Sequence, residues 1–243
     1  MSSEDRPDSA RSWDSNLYGG HFTAPCLILT PMLRVAFFLA LASAVAAAHA
    51  VTLYTPDTFE NGTTNDWIGA PDYVTNVAGD APGGGSRAAQ IRSTGGFGAG
   101  SRLAAHNDFS RWTGNYTAAN VTGVRGWFKN VGNTALNLRL VLFSGSENRT
   151  TSTVALSLPA GSGWTFHTFD ARASALTGVL GLPTTSILQD VTQVMIRHDS
   201  STPSSTGTGV VGMLLMDNIE AVPEPATMTA LAVGALALLR RRK

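Results

Sequence analysis

Between Val51 and Ala221 the apolar residues recur every second position in short runs, and nowhere do they hold a helical period for long. That is the pattern of strands whose side chains alternate between a core face and a solvent face. Leu136-Asn137-Leu138-Arg139-Leu140 and Val154-Ala155-Leu156-Ser157-Leu158 alternate most cleanly. Strands are expected over Val51–Tyr54, Tyr73–Val77, Ala88–Arg92, Val124–Phe128, Leu136–Phe143, Thr153–Leu158, Trp164–Phe169, Val191–Arg197 and Met213–Ile219. Turn clusters such as Asn130-Val131-Gly132-Asn133 and Pro159-Ala160-Gly161-Ser162-Gly163 separate them. Only Ala171–Leu180 and Thr184–Gln189 leave room for helix, and both would be short. Some nine strands over about 170 residues, with no repeat and no internal linker, predict an all-β chain folded as one antiparallel β-sandwich across residues 51–221.

Charge narrows the function. Basic and acidic residues number 17 each over the 243-residue chain, but Arg240, Arg241, Arg242 and Lys243 crowd the end. The body from Val51 to Val222 keeps ten basic residues against twelve acidic ones. A mildly acidic body lacks the clustered Lys and Arg that nucleic acid requires, so no nucleic-acid partner is expected. Cys26 is the single cysteine, which excludes an intramolecular disulfide. The five histidines show no metal-ligand spacing.

Both ends read as export signals. Met32-Leu33-Arg34 precedes the apolar stretch Val35–Ala42, and Ala48-His49-Ala50 supplies a small-residue cleavage site. A signal helix over 32–50, cut after Ala50, is the expectation. Residues 1–31 are polar and precede this second methionine, so they are read as an unstructured extension upstream of a true start at Met32. At the other end, Val222-Pro223-Glu224-Pro225 leads into an apolar run from Ala226 to Leu239 and then the basic cluster. About 14 residues of helix span roughly 21 Å, short of the ~30 Å hydrocarbon core. The prolines keep the preceding segment extended, and the arginines hold the end on the cytoplasmic side. This order of parts over residues 222–243 resembles the PEP-CTERM sorting signal of Gram-negative bacteria. The resemblance implies an exosortase partner that recognises Val222, Pro223, Glu224, Pro225 and Arg240–Arg242 and removes the tail. A short C-terminal hydrophobic helix would anchor the chain in the inner membrane transiently, before release to the cell surface or extracellular matrix. A plain C-terminal membrane anchor is the alternative.

Phe59-Glu60-Asn61-Gly62, Trp164-Thr165-Phe166-His167-Thr168-Phe169-Asp170 and Leu215-Met216-Asp217-Asn218-Ile219 together resemble the jelly roll of carbohydrate-binding modules and galactose-binding-like domains. That resemblance implies that the first and last strands lie together and that Glu60 and Asp217 help to hold a structural calcium. Hard cations want further oxygen ligands, so two carboxylates are only part of a site. The alternative is that Glu60 caps a turn and Asp217 pairs with an arginine.

For a sugar-stacking platform, Trp67 and Trp112, in polar and turn-rich surroundings, are the candidates. Trp127 and Trp164, in apolar strands, are expected in the core. No carboxylate spacing singles out a glycosidase pair, which would face a cleft about 5–9.5 Å apart. His198-Asp199-Ser200, being adjacent in sequence, is expected to be a strand-end loop rather than a triad. The expectation is a non-catalytic exported surface or matrix protein that binds extracellular polysaccharide. The alternative is a small secreted polysaccharide hydrolase or lyase on the same fold.

Overall fold

The computed structural model describes residues 51–69, 73–96, 102–200 and 202–223, all within one compact unit, Ala46–Lys243. The signal helix, its cleavage residues Ala48 and Ala50, and the sorting tag from Glu224 onward lie outside the described residues. Among the described residues no helix is long and apolar enough to cross a membrane.

Eleven strands form two antiparallel sheets. They are β1 (Val74–Ala78), β2 (Arg87–Thr94), β3 (Ala104–Asn107), β4 (Val121–Asn130), β5 (Leu136–Ser144), β6 (Asn148–Ser152), β7 (Leu156–Leu158), β8 (Thr165–Asp170), β9 (Leu176–Leu180), β10 (Gln193–His198) and β11 (Val211–Pro223). One sheet runs β1-β2-β11-β4-β8; the other runs β3-β10-β5-β6-β9, with β7 also paired to β5. The expected sandwich is what the chain forms.

Alternation builds the core. In β5, Leu138, Leu140 and Leu142 are fully buried and meet Val194 and Ile196 of β10 in one cluster. From the opposing sheet come Ile91 of β2, Val124 and Phe128 of β4, Phe169 of β8, and Leu214 and Met216 of β11. Phe128 and Phe169 meet edge-on at 5.5 Å. Burying such side chains contributes about 1.5–3 kcal/mol each, which makes this two-sheet interface the main source of stability.

The last strand occupies the middle of its sheet, and the start of the chain docks on it. Leu53 bridges Ala221, and Asp57 bridges Ile219. The ends of the sandwich therefore lie together, although Val51–Tyr54 makes an isolated bridge rather than the expected strand. Asn218 adopts φ 53°, and the register of β11 against β4 shifts between Asp217 and Glu220, a β-bulge. Gly126 of β4 packs beneath that bulge. A Cβ there would run into Ile219 Cδ1 and crowd the Asp217 carbonyl, so a larger residue would force the bulge to shift.

Three strands depart from expectation. Ala171–Leu180 is not helical: it makes one 3-10 turn, Ala173–Ala175, and then β9. Thr177 and Val179 are β-branched, and β9 extends the sheet beside β6. Strands β3 and β6 carry no apolar alternation. Thr150 and Thr151 of β6 are buried, and their hydroxyls donate to the carbonyls of Thr177 (3.0 Å) and Leu140 (2.9 Å). The expected helix at 184 is present as the single turn α1 (Thr184–Ile187).

Candidate functional site

The outer face of the five-stranded sheet carries a row of aromatic side chains. Val124, Gly126 and Phe128 of β4 point inward, so Arg125, Trp127 and Lys129 point out. Phe169 of β8 points inward, so Phe166 and Thr168 point out. Trp127 stands opposite Phe166 in the register, with ring centroids 5.3 Å apart, and Phe166 is 48% exposed. Arg125, opposite Thr168, places its guanidinium 5.9 Å from the Phe166 ring and 6.0 Å from the Tyr54 ring. Tyr54 is 41% exposed and is fixed by its amide, which donates to Ala221 O at 3.1 Å.

The polar groups of this face are positioned by pairs. Arg125 Nε and Nη2 both donate to Glu220 Oε1 at 2.7 Å, which fixes the guanidinium beside the Tyr54 and Phe166 rings. Farther along, Asp80 receives Lys129 Nζ at 2.6 Å and Trp164 Nε1 at 2.9 Å. Lys129, and after it Trp164, keep the Asp80 carboxyl below its usual pKa, so it stays ionised. At one end of the row lies a cavity of about 370 Å³, lined by Tyr54, Thr122, Arg125, Thr168, Val222 and Pro223. Aromatic faces beside a few fixed donors and acceptors are what a sugar ring needs: CH-rich faces stack, and hydroxyls hydrogen-bond. Val222 and Pro223, the first residues of the sorting tag, are already locked into β11 opposite Gly123 and Val121.

The tryptophans exchange the roles expected for them. Trp67 and Trp112 are buried, meet edge-on at 5.3 Å, and both donate from Nε1 to Asp57 Oδ2, at 2.7 and 3.1 Å. Their polar sequence neighbours face outward and misreport the indoles, so neither is an exposed ligand platform. Trp127 and Trp164 are half-buried on the outer face instead. The legible signal was that Trp127 shares its parity with Arg125 and Lys129.

Glu60 and Asp217 are brought together. Asp217 is 1% exposed, and its pKa is pushed up to about 7, chiefly by burial, with the Glu60 charge adding to the rise. Asn218 donates to it from the backbone at 2.8 Å, and no ion pair among the described residues reaches it. Glu60 does hold a turn: it accepts Ser86 Oγ at 2.6 Å and the amides of Ser86 and Arg87. Those bonds, the Ser86 hydroxyl first, lower its pKa. Asp217, in contrast, has no arginine partner, so half of the alternative reading fails.

His198 closes β10, and its Nδ1 accepts the Asn137 amide at 3.0 Å. Asp199 accepts from Ser204, while the Ser200 amide donates to Thr208 Oγ1. These three residues diverge and form no triad. Among the described residues no group of three or more His, Cys, Asp or Glu is placed to hold a metal ion.

The PEP-CTERM protein-sorting motif matches residues 221–243. No curated protein matches the sequence. In solved structures the sandwich is similar to the family 11 carbohydrate-binding module of Clostridium thermocellum in complex with a β-1,3-1,4-mixed-linked tetrasaccharide. That match has 12% identity and a TM-score of 0.43, covering 72% of this chain and 97% of the module. It is similar also to an exo-β-agarase, at 10% identity and a TM-score of 0.50, covering 72% of this chain and 26% of the agarase. A third similar structure is the TmCBM61 module in complex with β-1,4-galactotriose, at 13% identity and a TM-score of 0.39, covering 72% of this chain and 99% of the module. The chain is thus an antiparallel β-sandwich that carries a PEP-CTERM sorting motif at residues 221–243.

Proposed function

We propose that this is a non-catalytic, exported surface protein that binds polysaccharide through the Tyr54–Arg125–Phe166–Trp127 face. The aromatic row, with the Arg125 guanidinium fixed beside it by Glu220, is the observation that carries the reading. Synthesis from Met32, cleavage after Ala50 and exosortase removal of the tail beyond the sandwich complete it. The chain would be anchored in the membrane until that last cut. Retention of the full chain on immobilised mixed-linkage β-glucan, xylan and galactan tests the binding. Trp127→Ala and Phe166→Ala are each expected to weaken it by about tenfold or more, since central aromatic contacts carry about 1–2 kcal/mol. Unchanged retention in both variants, or release of reducing ends from the polysaccharide, would overturn it. For sorting, the intact mass should run from Val51 to near Pro223 only in cells with an exosortase. A full-length membrane-held chain in both hosts would make the tail a plain anchor.

Catalysis by the Glu60–Asp217 pair is disfavoured by geometry, because a carboxyl 1% exposed does not reach a glycosidic oxygen. The pair suits a structural calcium ion instead. Asp217 is a buried carboxylate beside a second one, no ion pair among the described residues reaches it, and hard cations are drawn to such oxygen sets. Glu60 and Asp217 would hold the ion, which would supply the missing positive charge and fasten the start of the sandwich to β11.

A further inference from the structure

The opposite face of the molecule carries a different chemistry. On the six-stranded sheet Leu138, Leu140 and Leu142 point inward, so Arg139, Val141 and Phe143 of β5 point out, as do Gln193, Met195 and Arg197 of β10. Register sets Arg197 directly opposite Arg139 and sets Arg149 of β6 opposite Phe143, with its guanidinium 5.0 Å from the ring. Arg102, just before β3, joins them. These arginines are spread over nearly 100 residues of sequence and converge only through strand pairing.

Like charges directly opposite on one sheet face reduce stability, so the Arg139–Arg197 pair is a local sacrifice. Arg102, Arg149 and Arg197 donate to the carbonyls of Thr206 (2.7 Å), Ser205 (2.9 Å) and Ser205 (3.1 Å). Carbonyl dipoles orient a guanidinium but leave its charge. Asp199, itself buried, pairs with Arg197 at 3.6 Å. Burial lowers the Arg197 pKa to about 10; Asp199 opposes that, and Arg149, Arg102 and Arg139 reinforce it. Arg197 is 4% exposed, and neither its Nε nor that of Arg149 has a hydrogen-bond partner. A cavity of about 220 Å³ opens at this cluster, with Arg102, Arg149 and Arg197 around it, Phe143, Met195 and Gln193 beside them, and no acidic residue in its lining.

We propose that this cavity is a second binding site, which takes a carboxylate-bearing sugar of an acidic polysaccharide. Arginine forks recognise carboxylates by paired charge-assisted bonds, the apolar side offers a surface to a ring, and Gln193 offers an amide to hydroxyls. A nucleic acid would instead need basic residues over a longer track, and the body is acidic overall. The inference rests on the polysaccharide-binding reading for the nature of the carrier but uses none of the residues of the aromatic face.

Affinity electrophoresis of the full chain through gels containing polygalacturonate tests it, with mixed-linkage β-glucan, polyglutamate and single-stranded DNA in parallel gels. Polygalacturonate should retard the protein more than polyglutamate or DNA, and galacturonate oligosaccharides should compete. Arg102→Gln with Arg149→Gln should weaken the affinity at least tenfold, and Arg149→Lys less than Arg149→Gln, since charge survives and the fork does not. Arg92→Gln, on the other sheet, should leave it unchanged. Folding of each variant is checked by circular dichroism; the Lys variant keeps the comparison usable if the double variant unfolds. Equal retardation by polyglutamate or DNA, or loss of effect in none of the pocket variants, overturns the proposal. Retardation by β-glucan alone sinks it while leaving the aromatic face standing, and retardation by nothing sinks both.

Discussion

Asp57→Ala is expected to destabilise the sandwich by about 3–5 kcal/mol, the range for removing one partner of a buried ionic cluster. The side chain is 3% exposed and holds three groups at once: both buried indoles on Oδ2, and Arg111 Nη2 on Oδ1 at 3.1 Å. Burial raises its pKa, while Trp67, Arg111 and Trp112, in that order, pull it down. Its backbone meanwhile exchanges hydrogen bonds with Ile219, amide to carbonyl at 2.9 and 3.3 Å. One residue therefore fixes the start of the chain, the Trp67–Trp112 pair and the last strand. Alanine would strand two buried indole N–H groups and take the carboxylate away from the partly exposed Arg111, which is why the loss should exceed that of an ordinary hydrogen bond. Asp57→Asn keeps an oxygen for the indoles and removes only the charge facing Arg111, so about 1–2 kcal/mol is expected. Urea unfolding followed by tryptophan fluorescence measures both. A loss below 1 kcal/mol for alanine would mean that the cluster is incidental to the docking of residues 51–69.

The strands that carry the core were readable because each buries alternate residues against one partner layer. Leu136–Phe143 and Met213–Ile219 fall inside β5 and β11 for that reason. Strand β6, Asn-Arg-Thr-Thr-Ser, was not, since its buried residues Thr150, Thr151 and Ser152 are hydroxyl-bearing on both faces, and burial by hydroxyl leaves no hydrophobic period. The sorting tag was legible whole, because its parts are contiguous. The outward-facing aromatics were misassigned because exposure was judged from neighbouring residues along the chain. In a strand the informative neighbours are two residues away: Arg125 and Lys129 mark the side on which Trp127 stands. The arginine cavity left no mark at all, because Arg102, Arg139, Arg149 and Arg197 become neighbours only once register is known. Glu60 and Asp217 came from a resemblance rather than a pattern, and their juxtaposition is what the fold adds.

Asp217 gives the fold a dependence on pH of unusual sign, and calcium should cancel it. A carboxyl whose pKa is raised in the folded state binds its proton more tightly there than in the unfolded chain. The stability that it contributes is present in full below its unfolded pKa, near 4, and is lost as pH rises through about 7. Asp57, also raised, acts in the same direction. Glu60, Asp80 and Asp170 have lowered values, so their contributions fade only as the solution becomes strongly acidic. In chelator, the melting temperature should therefore fall by about 4–8 °C between pH 5 and pH 8. Calcium at the proposed Glu60–Asp217 site would take the ionised carboxylate, so it should raise the melting temperature at pH 8 far more than at pH 5 and flatten the profile. Asp217→Asn keeps the shape but has no proton to lose. It should remain stable to pH 8 in chelator and show no response to calcium. A sloping profile that calcium leaves untouched would make Asp217 a buried acid and nothing more, and residues 51–60 would then be fastened to β11 by Asp57 and the bonds to Ala221. A calcium response that survives Asp217→Asn would place the ion elsewhere.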